Sequence, residues 1–323
     1  MHGTPSSTAC GWAAWARSST ARRRARCCSS PLRKTPKARG TGLVVAFFDR
    51  AKASAALLVC LVLLIAVAGV AHAQERIPPA RHTAAAVLVD ADTGDVLFAR
   101  NADMRIAPAS LTKIMTLLLA LDAVAAGETS MDDVVRVDGS VNGVYGAKLG
   151  LKPGDTLTVD EAVHGVAVAS ANDAAVALAV HIAGSEQAFV ARMNAKVVEL
   201  GLADTHYANP NGLPAAGQRT TALDTARLSR FYIRRHPEAL AIHSMRSYAF
   251  RGVTHTNHNT LLRSYPGIDG LKTGYIKASG YCLVATAMRN GVRLISVALG
   301  APNPAARDAA SRELLDYGFS QKQ

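Results

Sequence analysis

The sequence predicts an α/β (more narrowly, α+β) fold. One antiparallel sheet is built from both ends of the chain and flanked by helices, with a helical lobe inserted between. Three observations predict it. Two β-prone runs, residues 85–89 and 96–99, flank the turn residues Asp92-Thr93-Gly94-Asp95. Two more, residues 280–288 and 292–299, flank Arg289-Asn290-Gly291, a strong tight-turn signal, and an amphipathic helix over residues 303–317, ended by Gly318, follows them. The stretch between is dominated by apolar helix-forming runs.

Residues 1–49 form a basic, low-complexity leader rich in Arg, Ser, Ala and Thr, with no apolar period from which a core could be built. Met1 is the only methionine before Met104, and a start near Val44 or Val45 would leave a well-formed export signal. The leader therefore reads either as a basic tail or as a mis-assigned start. Residues 50–73 have the three parts of a secretory signal: Arg50 and Lys52, an apolar run over residues 55–70, and Ala71-His72-Ala73 as the cleavage site. The apolar run is short for a membrane span of about 20 residues, so cleavage is expected, an uncleaved anchor being the alternative. Residues 74–82, with Pro78-Pro79, read as a linker.

Charge follows the same partition. Of the net +12, residues 1–42 carry +9 and residues 43–73 carry +1, leaving +2 for residues 74–323. The part that could fold is nearly neutral, so no nucleic-acid role is supported. Of five cysteines only Cys282 lies beyond the signal, and a lone cysteine forms no intramolecular disulfide.

Within residues 83–319 the first hairpin is followed by Pro108, expected to stop a strand, and by a helix-forming run over residues 111–126. Ser110 then sits at the first turn of an apolar helix, with Lys113 on the same face. A serine beside a lysine is a nucleophile beside a base, and the helix start offers N–H groups to an oxyanion. A lysine of ordinary pKa, roughly 10.4, cannot accept that proton at neutral pH, so a second cation is expected nearby. The bland alternative is a capping serine and a solvated lysine. Residues 127–159 are short and turn-rich, with a turn at Lys152-Pro153-Gly154-Asp155. Residues 159–169 read as a helix, and Ser170-Ala171-Asn172-Asp173 precedes another over residues 174–182. Helices over residues 189–200 and 221–234 follow, separated by the loop Asn209-Pro210-Asn211-Gly212. Residues 240–268 read as irregular. His255 and His258 lack a third ligand at metal-binding spacing and read as a solvated loop, so no metal is expected.

Ser110-x-x-Lys113, Ser170-x-Asn172 and Lys272-Thr273-Gly274 stand in that order, about 60 and 100 residues apart. This triple resembles the signature shared by penicillin-binding proteins and serine β-lactamases. The flanks Pro108-Ala109-Ser110-Leu111-Thr112-Lys113, Ser170-Ala171-Asn172-Asp173, Asn209-Pro210-Asn211-Gly212 and Asp269-Gly270-Leu271-Lys272-Thr273-Gly274 resemble the low-molecular-mass D-alanyl-D-alanine carboxypeptidases, peptidase family S11. The resemblance covers about residues 80–319.

It implies a β-lactamase/DD-peptidase-like fold and a serine hydrolase without a cofactor, acting on the D-Ala-D-Ala end of peptidoglycan stem peptides and blocked by β-lactams. Ser110 would attack the penultimate carbonyl and Lys113 would take its proton. Lys272 is the second cation. Ser170 would relay a proton to the leaving amine, and Asn172 would orient Lys113 or the substrate. The backbone N–H groups of Ser110 and Tyr275 would hold the oxyanion. Thr273 and Lys272 of the Lys272-Thr273-Gly274 motif would face the terminal carboxylate, joined by Arg307, whose plainer reading is a solvated helix charge. Relatives often carry Arg where His258 stands, His where Tyr275 stands, and a Met-Phe-Leu sequence in the loop at residues 145–150. Many also continue into a β-rich domain and a C-terminal amphipathic anchor. Neither is expected here, so the resemblance implies a periplasmic enzyme with no stable membrane anchor after signal cleavage.

Three rivals share the site. A β-lactamase of one class needs a glutamate in an E-x-x-x-N loop, and no acid between Asn172 and Lys272 has Asn four residues on. A DD-endopeptidase would use the same residues on cross-links. A silent wall-binding or penicillin-sensing module would not need the complete residue set.

Overall fold

The computed structural model describes residues 79–322. The leader, the signal and most of the linker lie outside the described residues. Five antiparallel strands form the main sheet: β1 (Ala85–Asp90), β2 (Val96–Arg100), β7 (Ile268–Ile276), β8 (Gly280–Arg289) and β9 (Val292–Ala301). Their order is β2-β1-β9-β8-β7, so the first hairpin pairs with the last through β1 and β9, Val87 opposite Val297. β1 reads as an unbroken apolar run because both of its faces are covered. Ala85, Val87 and Val89 join the core beneath the helical lobe, while Ala86 and Leu88 join a second core under the C-terminal helix.

The lobe holds α1 (Lys113–Ala125), α2 (Val159–Ala167), α3 (Asn172–Ala183), α4 (Glu186–Glu199), α5 (Ala222–Arg235) and the short α6 (Ala239–His243). A small ladder of β3 (Val134–Arg136) and β4 (Thr156–Thr158) precedes α2. Thr158 and Glu161 close a capping box at the start of α2, and Thr221 caps α5. α1 is buried along nearly its whole length, which its continuous apolar sequence requires. Among the described residues, no single helix is long and apolar enough to cross a membrane.

Four expectations are corrected. Residues 247–256 are not irregular: β5 (Ser247–Phe250) and β6 (Val253–Thr256) form a hairpin turning at Arg251 and Gly252, both of positive φ. These strands are only four residues each and largely exposed, which hid them, and His255 lies on β6 rather than in a loop. Pro108 does not end a strand; β2 stops at Arg100, and Pro108 caps a 3₁₀ turn. The strand β7 itself carried no alternating pattern by which to read it. Gly318 does not end the last helix, α7 (Pro304–Gln321). It lies inside that helix where a Cβ would come within 2.6 Å of both Leu88 and Leu294, so it is a close-packing glycine rather than a cap.

Candidate active site

Pro108 opens the 3₁₀ turn Ala109–Thr112, which runs straight into α1. Ser110 rides on this turn and Lys113 is the first residue of the helix. Ala109, just before the serine, is held at φ +48°, a left-handed conformation that a non-glycine residue adopts only when its surroundings impose it. Lys113 is fully buried. Its Nζ lies 2.9 Å from Ser110 Oγ, 2.6 Å from Asn172 Oδ1 and 2.5 Å from the Asn211 carbonyl oxygen. Burial pushes the Lys113 pKa well down, Lys272 pushes it further, and Asp173 opposes both.

Ser170 lies in the break between α2 and α3, and Asn172 is the first residue of α3. Ser170 also has positive φ, +58°. Asn172 Nδ2 donates to the Tyr145 carbonyl at 2.6 Å, which leaves its Oδ1 to face Lys113. Across the site, Lys272 Nζ donates to Ser170 Oγ at 2.9 Å and to the Thr273 carbonyl at 3.2 Å. Lys272 is 3% exposed, and burial and then Arg307 lower its pKa to about 7.

Lys272, Thr273, Gly274 and Tyr275 lie on β7, the outer strand of the sheet, so that alternate backbone groups point away from β8. Gly274 has a steric reason: a Cβ there would stand 3.2 Å from Ser110 N and 3.3 Å from Ala109 Cβ. Any larger residue would push the strand or the Ser110 turn back by a few tenths of an ångström. Thr273 is buried. Tyr275 is half exposed and stacks on Tyr281, centroids 4.2 Å apart. Arg307 is not a solvated helix charge. It is 5% exposed in α7, its Nε donates to Asp308 at 2.8 Å, and its Nη2 donates to the His258 carbonyl at 3.3 Å.

Ser110, Ser170, Asn172, Thr273, Tyr275 and Arg307 line one cleft of about 710 Å³. The nitrogens of the two buried lysines reach it through the serine hydroxyls they contact. All nine residues singled out in the sequence are thus brought together. Two further contributors were not. Asn211 supplies a carbonyl acceptor to Lys113, and Asp173 holds the loop beside Asn172. Asn211 lay in a quoted motif, but nothing in its side-chain type announces a role for its backbone. Among the described residues, no group of three or more His, Cys, Asp or Glu side chains is placed to hold a metal.

The family model for D-alanyl-D-alanine carboxypeptidase, peptidase family S11, matches residues 72–303. The D-alanyl-D-alanine carboxypeptidase DacF of Bacillus subtilis is 40% identical over 246 residues, 75% of this chain and 63% of the relative. The chain therefore spans less than two thirds of that relative's length. Among solved structures, penicillin binding protein 6B from Escherichia coli superposes with a TM-score of 0.72 at 38% identity, covering 76% of this chain and 80% of that one. Penicillin-Binding Protein D2 from Listeria monocytogenes, in its ampicillin-bound form, gives 0.68 at 32% identity, covering 74% and 98%. By the extent of the family match and the identity to these relatives, the chain belongs to the D-alanyl-D-alanine carboxypeptidase family.

Proposed function

We propose that this protein is a serine-type D-Ala-D-Ala carboxypeptidase that removes the terminal D-alanine from peptidoglycan stem pentapeptides through an acyl-enzyme on Ser110. The observation that carries this reading is the pair of hydroxyl–lysine contacts in one cleft, Ser110 with Lys113 and Ser170 with Lys272, each at 2.9 Å.

The chemistry follows from the donors. The Asn172 Oδ1 and the Asn211 carbonyl can only accept, so Lys113 must give each of them an N–H. A neutral amine has two N–H bonds. Both are taken, and its lone pair is left toward Ser110 Oγ. The Ser110 hydroxyl donates its proton to that lone pair as the oxygen attacks the penultimate carbonyl. The oxyanion develops where the Ser110 turn meets β7, and the N–H groups of Ser110 and Tyr275 stabilise it. In this reading the proton that Lys113 accepted passes through Ser170 to the nitrogen of the leaving D-alanine, while Lys272 keeps its own proton and donates a hydrogen bond to Ser170 Oγ. Lys272, Thr273 and Arg307 hold the substrate's terminal carboxylate, the two cations supplying charge-assisted hydrogen bonds. Water then cleaves the acyl-enzyme.

β-Lactams acylate the same serine in this reading, which the ampicillin-bound relative supports. The expected export signal and an extracytoplasmic substrate fit a periplasmic enzyme. The test is D-alanine release by the purified protein from a pentapeptide monomer and a cross-linked dimer side by side. Release from the monomer is expected. Cleavage of the dimer alone would make it an endopeptidase. Activity on neither substrate would overturn the assignment.

A further inference from the structure

Asp173 makes none of the contacts the mechanism needs, yet it is 1% exposed and its carboxylate is fully engaged. Its two oxygens accept three consecutive backbone N–H groups of the loop that precedes β4: Leu149 at 3.0 Å, Gly150 at 2.8 Å and Leu151 at 2.9 Å. They also accept the N–H of Ala174 at 2.9 Å. The neighbouring Asn172 grips the same loop twice more. Its backbone N–H donates to the Ala147 carbonyl at 2.8 Å, and its Nδ2 donates to the Tyr145 carbonyl. Two adjacent residues at the start of α3 therefore hold a loop that forms one wall of the cleft through Tyr145, Gly146 and Ala147. The side chain of Asn172 is shared between that wall and Lys113. If the wall moves, the lysine's acceptor moves with it.

We propose that Asp173 is a positioning residue for acylation: it latches the 145–151 wall and thereby holds Asn172 Oδ1 where it orients Lys113. The proposal rests on the reading of Ser110 as the acylated nucleophile. A carboxylate suits the task because it can accept three N–H groups at once. An amide at this position would turn two N–H donors toward other donors.

The experiment compares wild type, Asp173→Asn and Gly150→Ala in penicillin acylation at saturating and limiting concentrations. Gly150 has φ +88°, and an added Cβ meets nothing within 4 Å, so alanine strains the loop without touching α3 or the cleft floor. It is the second variant should Asp173→Asn fold poorly. Both variants are expected to lower the limiting acylation rate, Asp173→Asn at least tenfold and Gly150→Ala several-fold. The apparent dissociation constant should change less than threefold. Amide exchange should speed up at Leu149, Gly150 and Leu151 while α3 stays protected. A folded Asp173→Asn or Gly150→Ala protein with wild-type acylation would overturn the latch, as would unchanged exchange at those amides. A wild-type protein that penicillin does not label at Ser110 would instead remove the underlying reading, and the proposal with it.

Discussion

Lys113 Nζ lies 2.6 Å from Asn172 Oδ1, and that contact sets the direction of the lysine's lone pair. An amide oxygen offers no proton, so the lysine must donate there and again to Asn211. The lone pair is left for Ser110 only while Lys113 is neutral, and burial and Lys272 favour that state. Lys113→Arg places a permanent cation where a neutral amine is needed, because an arginine cannot release its proton. We expect acylation to fall by about 10³-fold or more, with the melting curve little changed in shape. Turnover within tenfold of wild type would remove Lys113 as the base.

Ser110→Ala should abolish covalent labelling by fluorescent penicillin while the fold survives. The site loses one oxygen on a turn whose backbone contacts do not depend on it. Intact mass after exposure to penicillin reads the result directly: no added acyl mass is expected, and an adduct at another residue would move the nucleophile.

In the proposed mechanism the two lysines predict opposite limbs in a pH profile. Falling pH protonates Lys113, which then cannot accept from Ser110, so kcat/KM drops on the acid side. Rising pH through about 7 takes the proton from Lys272 in the free enzyme and weakens its hold on the substrate carboxylate, so kcat/KM drops on the alkaline side. Arg307 is the charge that, after burial, holds the Lys272 pKa down. Arg307→Gln should move the alkaline limb to higher pH and raise KM about tenfold, the worth of one charge-assisted hydrogen bond. An alkaline limb that stays in place would separate Arg307 from Lys272.

Lys272 also costs stability, and the sign can be checked. Its folded pKa, about 7, lies below its ordinary value of 10.5, so between those pH values the unfolded chain binds the extra proton. Stability of the wild type therefore rises with pH across that window. Lys272→Met removes the effect and the activity together. Its stability relative to wild type should be greatest near pH 6 and should shrink by more than about 1 kcal/mol toward pH 10. A constant difference between the two denaturation curves across that range would show that Lys272 titrates normally.

These predictions draw on residues of unequal visibility in the sequence. Ser110 and Lys113 are three residues apart, and the three short motifs stood out because each has a fixed local spacing. β1, β8 and β9 were legible because their apolar runs end in turn residues. What escaped depends on pairings across long separations. The Asn211 carbonyl meets a lysine 98 positions away, and Asp173 grips backbone N–H groups that carry no side-chain signature. Gly318 was misread because a glycine near a helix end is ordinarily a stop, and only the packing of Leu88 and Leu294 against it shows otherwise. The β5–β6 hairpin escaped because its strands are only four residues each, too short for alternation to stand out.

Gly212 makes the most stringent local demand in the site. It has φ +86°, and a Cβ there would stand 1.8 Å from the Ala109 carbonyl oxygen and 2.4 Å from its carbon. Backbone, rather than a flexible side chain, would have to move. The parts that would move are the turn carrying Ser110 and the loop whose Asn211 carbonyl accepts from Lys113. Gly212→Ala should therefore lose more than the roughly 1–2 kcal/mol that left-handed backbone alone costs an alanine. Acylation should fall at least about tenfold even where the protein is fully folded, a loss of 1.4 kcal/mol or more of transition-state stabilisation. Gly127→Ala is the control: φ is +73°, but nothing lies within 4 Å of the added carbon, at the far end of α1. It should show the conformational cost alone, with acylation unchanged. If the two variants melt together and acylate alike, the contact between Gly212 and Ala109 does not shape the site.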